Sequence, residues 1–222
     1  MIQDIEPKHL YNEWKKNAVP KKSSAVVQFR GQDLLCRIDD NGLKFPSRAQ
    51  FTEPDEAFTY LFELDGREYY LLFDENERAI ALVVIDEYRD SDNIVFIFEN
   101  GKCVRVPAVS YQTKTNRKKL TAAFSDASPA VAILHETEPF DIIFANDQKK
   151  SVILTSDIIP VKTTRSSAGV QVVNLKKNQK LVAAVRADRS KIANYDKLHK
   201  DKIPATPSVI DDKSYNSSFN LQ

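Results

Sequence analysis

Two short stretches of the chain carry side chains suited to holding phosphate. Tyr111 to Leu120 reads YQTKTNRKKL, with four cations and no acid, and 48 residues later the chain reads IPVKTTRSSAGV. Lys114, Thr115 and Arg117 recur there, without a gap, as Lys162, Thr163 and Arg165. A guanidinium presents a planar fork of donors that fits two phosphate oxygens, a lysine adds a point charge, and a threonine adds a hydroxyl donor. Such contacts position a duplex and carry no base specificity. Two plainer readings compete. Cations in a turn keep a hairpin soluble and an edge strand unpaired, and the threonine can simply pin a recurring turn by bonding the backbone. A solubility device needs charge alone, so the recurrence of K-T-x-R as a pattern favours phosphate contact.

Other chemistry finds little support. Nucleophilic catalysis needs a base beside a nucleophile, and His9, His135 and His199 are scattered. His135, at the end of AVAILHE, reads as a partly exposed strand residue. Asp86 to Asp92, DEYRDSD, groups four carboxylates but lacks the calcium-loop spacing and its glycine, and reads as a solvated loop. No P-loop and no G-x-G-x-x-G occurs. Cys36 and Cys103 form no C-x-x-C pair and read as small buried thiols in a reducing compartment. The expectation is a non-catalytic protein without cofactor or metal. A basic n-region followed by an apolar h-region is absent from MIQDIEPKHL, and no apolar run is long enough to cross a bilayer, so a cytoplasmic chain without membrane partners is expected.

The elements that position these groups are short. The 222 residues are 42% hydrophobic and 28% charged, with five glycines and ten prolines, enough for one large domain or two small ones. Net charge is +1, yet residues 1–76 hold 10 Lys+Arg against 14 Asp+Glu, and residues 77–222 hold 22 against 17. The cations concentrate in Gly101–Leu120 and Pro160–Lys191, which points to a local anionic contact. MIQDIEPKHLYNEWKKNAVP reads as an arm or one short helix. SSAVVQFRGQDLLCRIDDNGLKF reads as two strands with Asp39–Gly42 as a hairpin signal, and AFTYLFELDGREYYLLF as two strands about Asp65-Gly66. PSRAQFTEPDEA is assigned one helical turn. After a polar seam at Asp74–Arg78 come further β-branched and aromatic runs, with Glu99–Lys102, ENGK, as a tight turn. From Ser190 the strand pattern ends. The tail reads either as disordered or as a strap in which Tyr195, Leu198, Ile203 and Val209 pack along a sheet.

Asn93–Arg117 and Asp141–Arg165 agree without gaps at seven of 25 positions, including Ile94/Ile142, Phe96/Phe144, Lys102/Lys150 and Val104/Val152. A 48-residue period of short strands is what a propeller-type blade produces. The segments FENGKCVRVPAVSYQTKTNRKKLTAAFSDASPAVAIL and IPVKTTRSSAGVQVVNLKKNQKLVAAV resemble the C-terminal domain of type IIA topoisomerase A subunits, the gyrase and topoisomerase IV A chains. HKDKIPATPS in the tail resembles the end of some such subunits. The resemblance spans roughly residues 79–185. It implies a β-pinwheel whose basic rim binds and bends duplex DNA, with topoisomerase subunits or a second copy as further partners. The rim positions it implies are Lys102, Arg105, Lys114, Thr115, Arg117, Lys118, Lys119, Lys150, Lys162, Thr163 and Arg165. The breakage–reunion domain with its tyrosine is not recognisable in the chain, and the Q-R-R-G-G-K-G type box of gyrase is absent. Only two blades are evident, so they must be capped, dimerise or stay open.

Residues 1–73 resemble the non-catalytic N-terminal module of Nudix NADH pyrophosphatases, through MIQDIEPKHLYNEW, LKFPS and FTYLFELDGREYYLL. The zinc ribbon and the carboxylate box that follow in those enzymes do not occur. The expected architecture is therefore mainly β. A small antiparallel α+β module, residues 1–76, precedes a two-blade pinwheel unit, residues 77–189, and a polar tail, residues 190–222. The expected function is sequence-independent duplex DNA binding. The alternatives are a protein–protein module that uses open blade edges and, more remotely, a hydrolase remnant.

Overall fold

The computed structural model describes strands over residues 24–29, 32–37, 58–64, 67–73 and 79–85, and then residues 87–112 and 119–219. The expected N-terminal arm or helix, the helical turn in PSRAQFTEPDEA, and residues 113–118 lie outside the described residues. Strands β1 (Ser24–Phe29) and β2 (Gln32–Arg37) form a two-stranded antiparallel sheet. Phe29 pairs with Gln32 across Arg30-Gly31, and the hairpin signal at Asp39–Gly42 lies outside the described residues. Arg30-Gly31 leaves apolar runs of equal length on both sides, and this decides the register.

The other strands form three four-stranded sheets. The first has the order β5-β4-β3-β8, with β3 (Phe58–Leu64), β4 (Arg67–Phe73), β5 (Ala79–Ile85) and β8 (Lys119–Thr121). Leu64 pairs with Arg67 about Asp65-Gly66, as the turn signal predicts. The second has the order β12-β7-β6-β9, with β6 (Asn93–Phe98), β7 (Lys102–Pro107), β9 (Ala130–Glu136) and β12 (Val170–Gln171). The third has the order β13-β10-β11-β14, with β10 (Asp141–Asn146), β11 (Lys150–Thr155), β13 (Leu181–Arg186) and β14 (Ser208–Val209).

The 48-residue period is a structural repeat. Strand β10 starts 48 residues after β6 and β11 starts 48 after β7. Each hairpin ends in a 3-10 turn, Ala108–Tyr111 or Ser156–Ile158. The ladders shift register at Ile97/Phe98 and at Ala145/Asn146, again one period apart. The turns match as well. Gly101 lies at φ 80° and Lys149 at φ 54°, both in the left-handed region. A Cβ at Gly101 would fall 2.4 Å from the Val173 carbonyl oxygen, so this turn requires glycine.

Each sheet is completed by a strand from later in the chain. β8 pairs with β3, β12 with β7, and β14 with β11. Two compact units result: residues 1–88 with 113–126, and residues 89–112 with 127–222. This division differs from the expected breaks near residues 76 and 189. β5 hydrogen-bonds to β4 and so joins the first sheet, while the tail is built into the third.

Within the second unit, alternation along β6 and β10 sends side chains to two covered faces. Val95, Ile97 and Cys103 of the second sheet meet Ile142, Phe144, Val152 and Leu154 of the third in one buried cluster. Burial pushes the Cys103 thiol well above its ordinary pKa, as suits an inert core residue. The opposite face of the third sheet, Ile143, Ala145 and Ile153, is covered by Ile192, Tyr195, Leu198, Ile210 and Tyr215. These come from the tail, which contains helices α1 (Tyr195–Leu198) and α2 (Asp212–Phe219). The strap reading therefore holds and the disordered one does not. Tyr195 and Leu198 are buried and Ile203 packs against the inter-sheet cluster, while Val209 stays 70% exposed although its backbone pairs with Lys150.

Candidate nucleic-acid interface

The second K-T-x-R lies in a loop anchored at both ends on one strand edge. Val161 forms a parallel bridge to Arg105, with the Arg105 amide donating to the Pro160 carbonyl at 3.2 Å and the Lys162 amide donating to the Arg105 carbonyl at 2.8 Å. Val170 then pairs with Cys103, two residues back along β7. Residues 162–169 thus leave and rejoin the same edge at points about 7 Å apart, the form of a compact surface loop. The Ser167 amide donates to the Thr164 carbonyl and closes a turn within it. Gly169, at φ 73°, brings the chain back. A Cβ there would sit 2.3 Å from the Cys103 carbonyl oxygen.

The loop presents its side chains in two ways. Lys162 and Thr163 are exposed. Arg165 is half-buried, its guanidinium carbon 5.9 Å from the centre of the Tyr111 ring. Tyr111 is buried, which raises its phenol pKa far above the usual value against the opposing pull of Arg165. At that distance the ring attracts the guanidinium and limits where it can go.

The remaining expected rim residues divide. Lys102 and Lys150 stand half-buried at equivalent places, the first residues of β7 and β11. Their amides donate to the side-chain oxygens of Asn100 and Asn146. Lys119 opens β8, opposite Tyr60. Lys114, Thr115, Arg117 and Lys118 lie outside the described residues. Arg105 is turned inward. Its Nε donates to the Ile159 carbonyl at 2.7 Å, Nη2 to the Asp157 carbonyl at 2.9 Å, and Nη1 to Glu136 at 3.1 Å. Glu136, 2% exposed, also accepts from Asn93 and from the Ser156 hydroxyl. The guanidinium thus ties the two repeats together.

Sequence reasoning missed a second loop of the same build. His199 forms a parallel bridge to Ile153, the Lys200 amide donates to the Ile153 carbonyl at 2.9 Å, and Ser208 pairs with Ser151. Residues 200–207 therefore span the edge of β11 as residues 162–169 span that of β7. Lys200 and Lys202 sit in this loop; Lys202 is exposed, and the Lys200 ammonium reaches the Lys197 carbonyl at 2.7 Å. The lysine after His199 matches Lys162, a signal too slight to find by eye. A polar cluster fixes the base of the loop. Asp141 accepts from Thr155 Oγ1 at 2.7 Å and from the Tyr195 hydroxyl, with His199 Nε2 at 3.3 Å. Burial would raise the Asp141 pKa, but the bonds from Tyr195, Thr155 and His199 outweigh it and hold the carboxyl below its ordinary range.

Two further expectations change. His135 is half-buried, as read, but faces Asp92 at 3.7 Å, and Asp92 is 2% exposed. The DEYRDSD segment is therefore not wholly solvated, because its last carboxylate is buried beside His135. Among the described residues no three His, Cys, Asp or Glu side chains are grouped to hold a metal ion, and no described helix is long and apolar enough to cross a membrane.

The fold is a mainly β, pinwheel-type assembly of four-stranded antiparallel sheets. Solved structures similar to it are C-terminal domains of topoisomerase A-type subunits. The C-terminal domain of DNA topoisomerase IV superposes with a TM-score of 0.51 at 14% identity, over 71% of this chain and 58% of that one. The DNA gyrase A C-terminal domain gives 0.41 at 14% identity, over 69% and 61%, and the E. coli ParC C-terminal domain gives 0.42 at 15%, over 62% and 59%. The chain thus spans less than two thirds of each of these domains. No protein-family model matches the chain, and no curated protein matches it by sequence. The likeness is one of fold.

Proposed function

We propose that the protein is a non-catalytic module that binds duplex DNA through its phosphates, without sequence preference. The observation that carries this reading is the loop of residues 162–169, clamped at both ends on β7, which holds Lys162 and Thr163 in solvent with Arg165 laid beside Tyr111. A rigid base lowers the conformational cost of fixing long cationic side chains on phosphates. The fold likeness to a domain of a DNA topoisomerase supports the same ligand. Lys102, Lys150, Lys119, Lys114, Thr115, Arg117, Lys118 and Lys202 extend the contact in this proposal. Arg105 serves it from within, by fixing the strand edge. The alternative, a partner strand added to open blade edges, has less room, because β12 covers the edge of β7 and β14 that of β11.

Fluorescence anisotropy with random-sequence duplex DNA at two salt concentrations tests the proposal. Binding should weaken steeply with salt, with a log–log slope near −5 if about six phosphates are contacted. The Lys162→Ala/Arg165→Ala variant should bind more weakly and show a slope shallower by about 2. Absence of binding at low salt overturns the proposal. Wild-type affinity in the variant moves the contact away from this loop.

A further inference from the structure

The tail repeats, in backbone terms, the segment that links one repeat to the sheet before it. Pro160–Gln171 meets β7 through Val161 at Arg105, the Lys162 amide on the Arg105 carbonyl, Val170 at Cys103 and Gln171 at Lys102. Leu198–Val209 meets β11 through His199 at Ile153, the Lys200 amide on the Ile153 carbonyl, Ser208 at Ser151 and Val209 at Lys150. Every acceptor residue is shifted by 48 and every donor residue by 38. Aligned at that shift, the two twelve-residue segments share only the lysine at 162 and 200. The edge therefore selects a main-chain path and tolerates different side chains, as strand addition does.

We propose that Leu198–Val209 is a built-in substitute for the donated segment of a further repeat, and that the β11 edge beneath it is an attachment surface for a second copy of this chain, reached by exchanging the tail between copies. A second copy fits because its tail brings the side chains that complete the site: Tyr195 to Asp141, and Leu198, Ile210 and Tyr215 onto Ile143 and Ile153. The connection from β13 to α1, residues 187–194, is held mainly by local bonds such as Ser190 to Asp188, and Ile192 is its one buried side chain. Extended, it reaches about 27 Å, a hinge of the kind that allows an element to be exchanged between protomers. The inference is independent of DNA binding.

The test uses the full-length chain. In native-state hydrogen exchange, the Lys200 amide, bonded to the Ile153 carbonyl, and the Ala205 amide, bonded to the Val172 carbonyl at 2.8 Å, should open together, at least tenfold faster than those of β10. Equal rates mean that the tail never leaves by itself and overturn the proposal. A fluorescent synthetic peptide of residues 195–219 should incorporate into wild type on prolonged incubation. It should incorporate at least tenfold more into Lys200→Pro, which lacks the amide bonded to Ile153. At high concentration, two pools labelled with different fluorophores should form mixed dimers that excess peptide dissolves. Tail opening without peptide uptake, or uptake without mixed dimers, overturns the proposal.

Discussion

At the residue scale, two positions of the repeat solve one geometric demand unequally. The turn after β6 places Gly101 in the left-handed region, and the turn after β10 places Lys149 there. A residue with a Cβ is disfavoured in that conformation by roughly 1–2 kcal/mol, offset in part by the greater freedom glycine has when unfolded. Lys149→Gly should therefore stabilise the chain by about 0.5–1 kcal/mol, read as a higher urea midpoint, whereas Gly101→Ala should destabilise it because its Cβ meets the Val173 carbonyl. Asp141 supplies a pH signature. Its folded-state pKa lies below the ordinary 3.8, so its stabilisation is full above that value and is lost as pH falls through the folded pKa. Acid titration of unfolding should show the stability gap between wild type and Asp141→Asn closing below about pH 4; a gap constant with pH would contradict the bonding described. Gly101 was marked by its turn signal, but Lys149 and Asp141 did not stand out in the sequence. Arg105 reads there like any rim cation, since what sets it apart is Glu136, 31 positions away.

At the scale of elements, hairpins were legible wherever a two-residue turn signal and alternating apolar residues agreed, as at Asp65-Gly66 and Asn100-Gly101. The pairing of Phe29 with Gln32 was not anticipated, because Arg30-Gly31 is a weaker turn signal than Asn-Gly or Asp-Gly. The donated strands β12 and β14 were harder to read. They are two residues long and held by backbone bonds, which leave no side-chain pattern. The segment leading into β12 is anchored beside Arg105, whose guanidinium joins β7 to Glu136 of β9 and to the turn after β11. Arg105→Ala would leave a carboxylate that is 2% exposed without its countercharge, at a cost of about 3 kcal/mol. Chemical denaturation should show this loss. If Arg105 touches no phosphate, the salt slope of DNA binding should stay that of wild type.

At the scale of the molecule, the near-neutral total conceals a division of charge. The second unit holds 17 Lys+Arg against 13 Asp+Glu, and the remainder holds 15 against 18. Electrostatic attraction to a polyanion should therefore come from the second unit, and the Lys200→Ala/Lys202→Ala variant should lower the association rate for duplex DNA at low salt more than at high salt, as stopped-flow anisotropy would show. The repeat and the likeness to topoisomerase C-terminal domains were readable from K-T-x-R, ENGK and the matched apolar positions. The strap was readable as one of two alternatives, but its likeness to Pro160–Gln171 was not, because one shared lysine is all that links the two segments. The paired edges have a consequence for how such a fold lengthens. Residues 141–188 behave as a cassette that receives Leu198–Val209 on the β11 edge and supplies Pro160–Gln171 to the β7 edge. Inserting a second copy of residues 141–188 ahead of the tail should yield a folded, longer protein with one more blade and the same terminus. Its size would then be set by counting cassettes, with no new sequence invented at the junction.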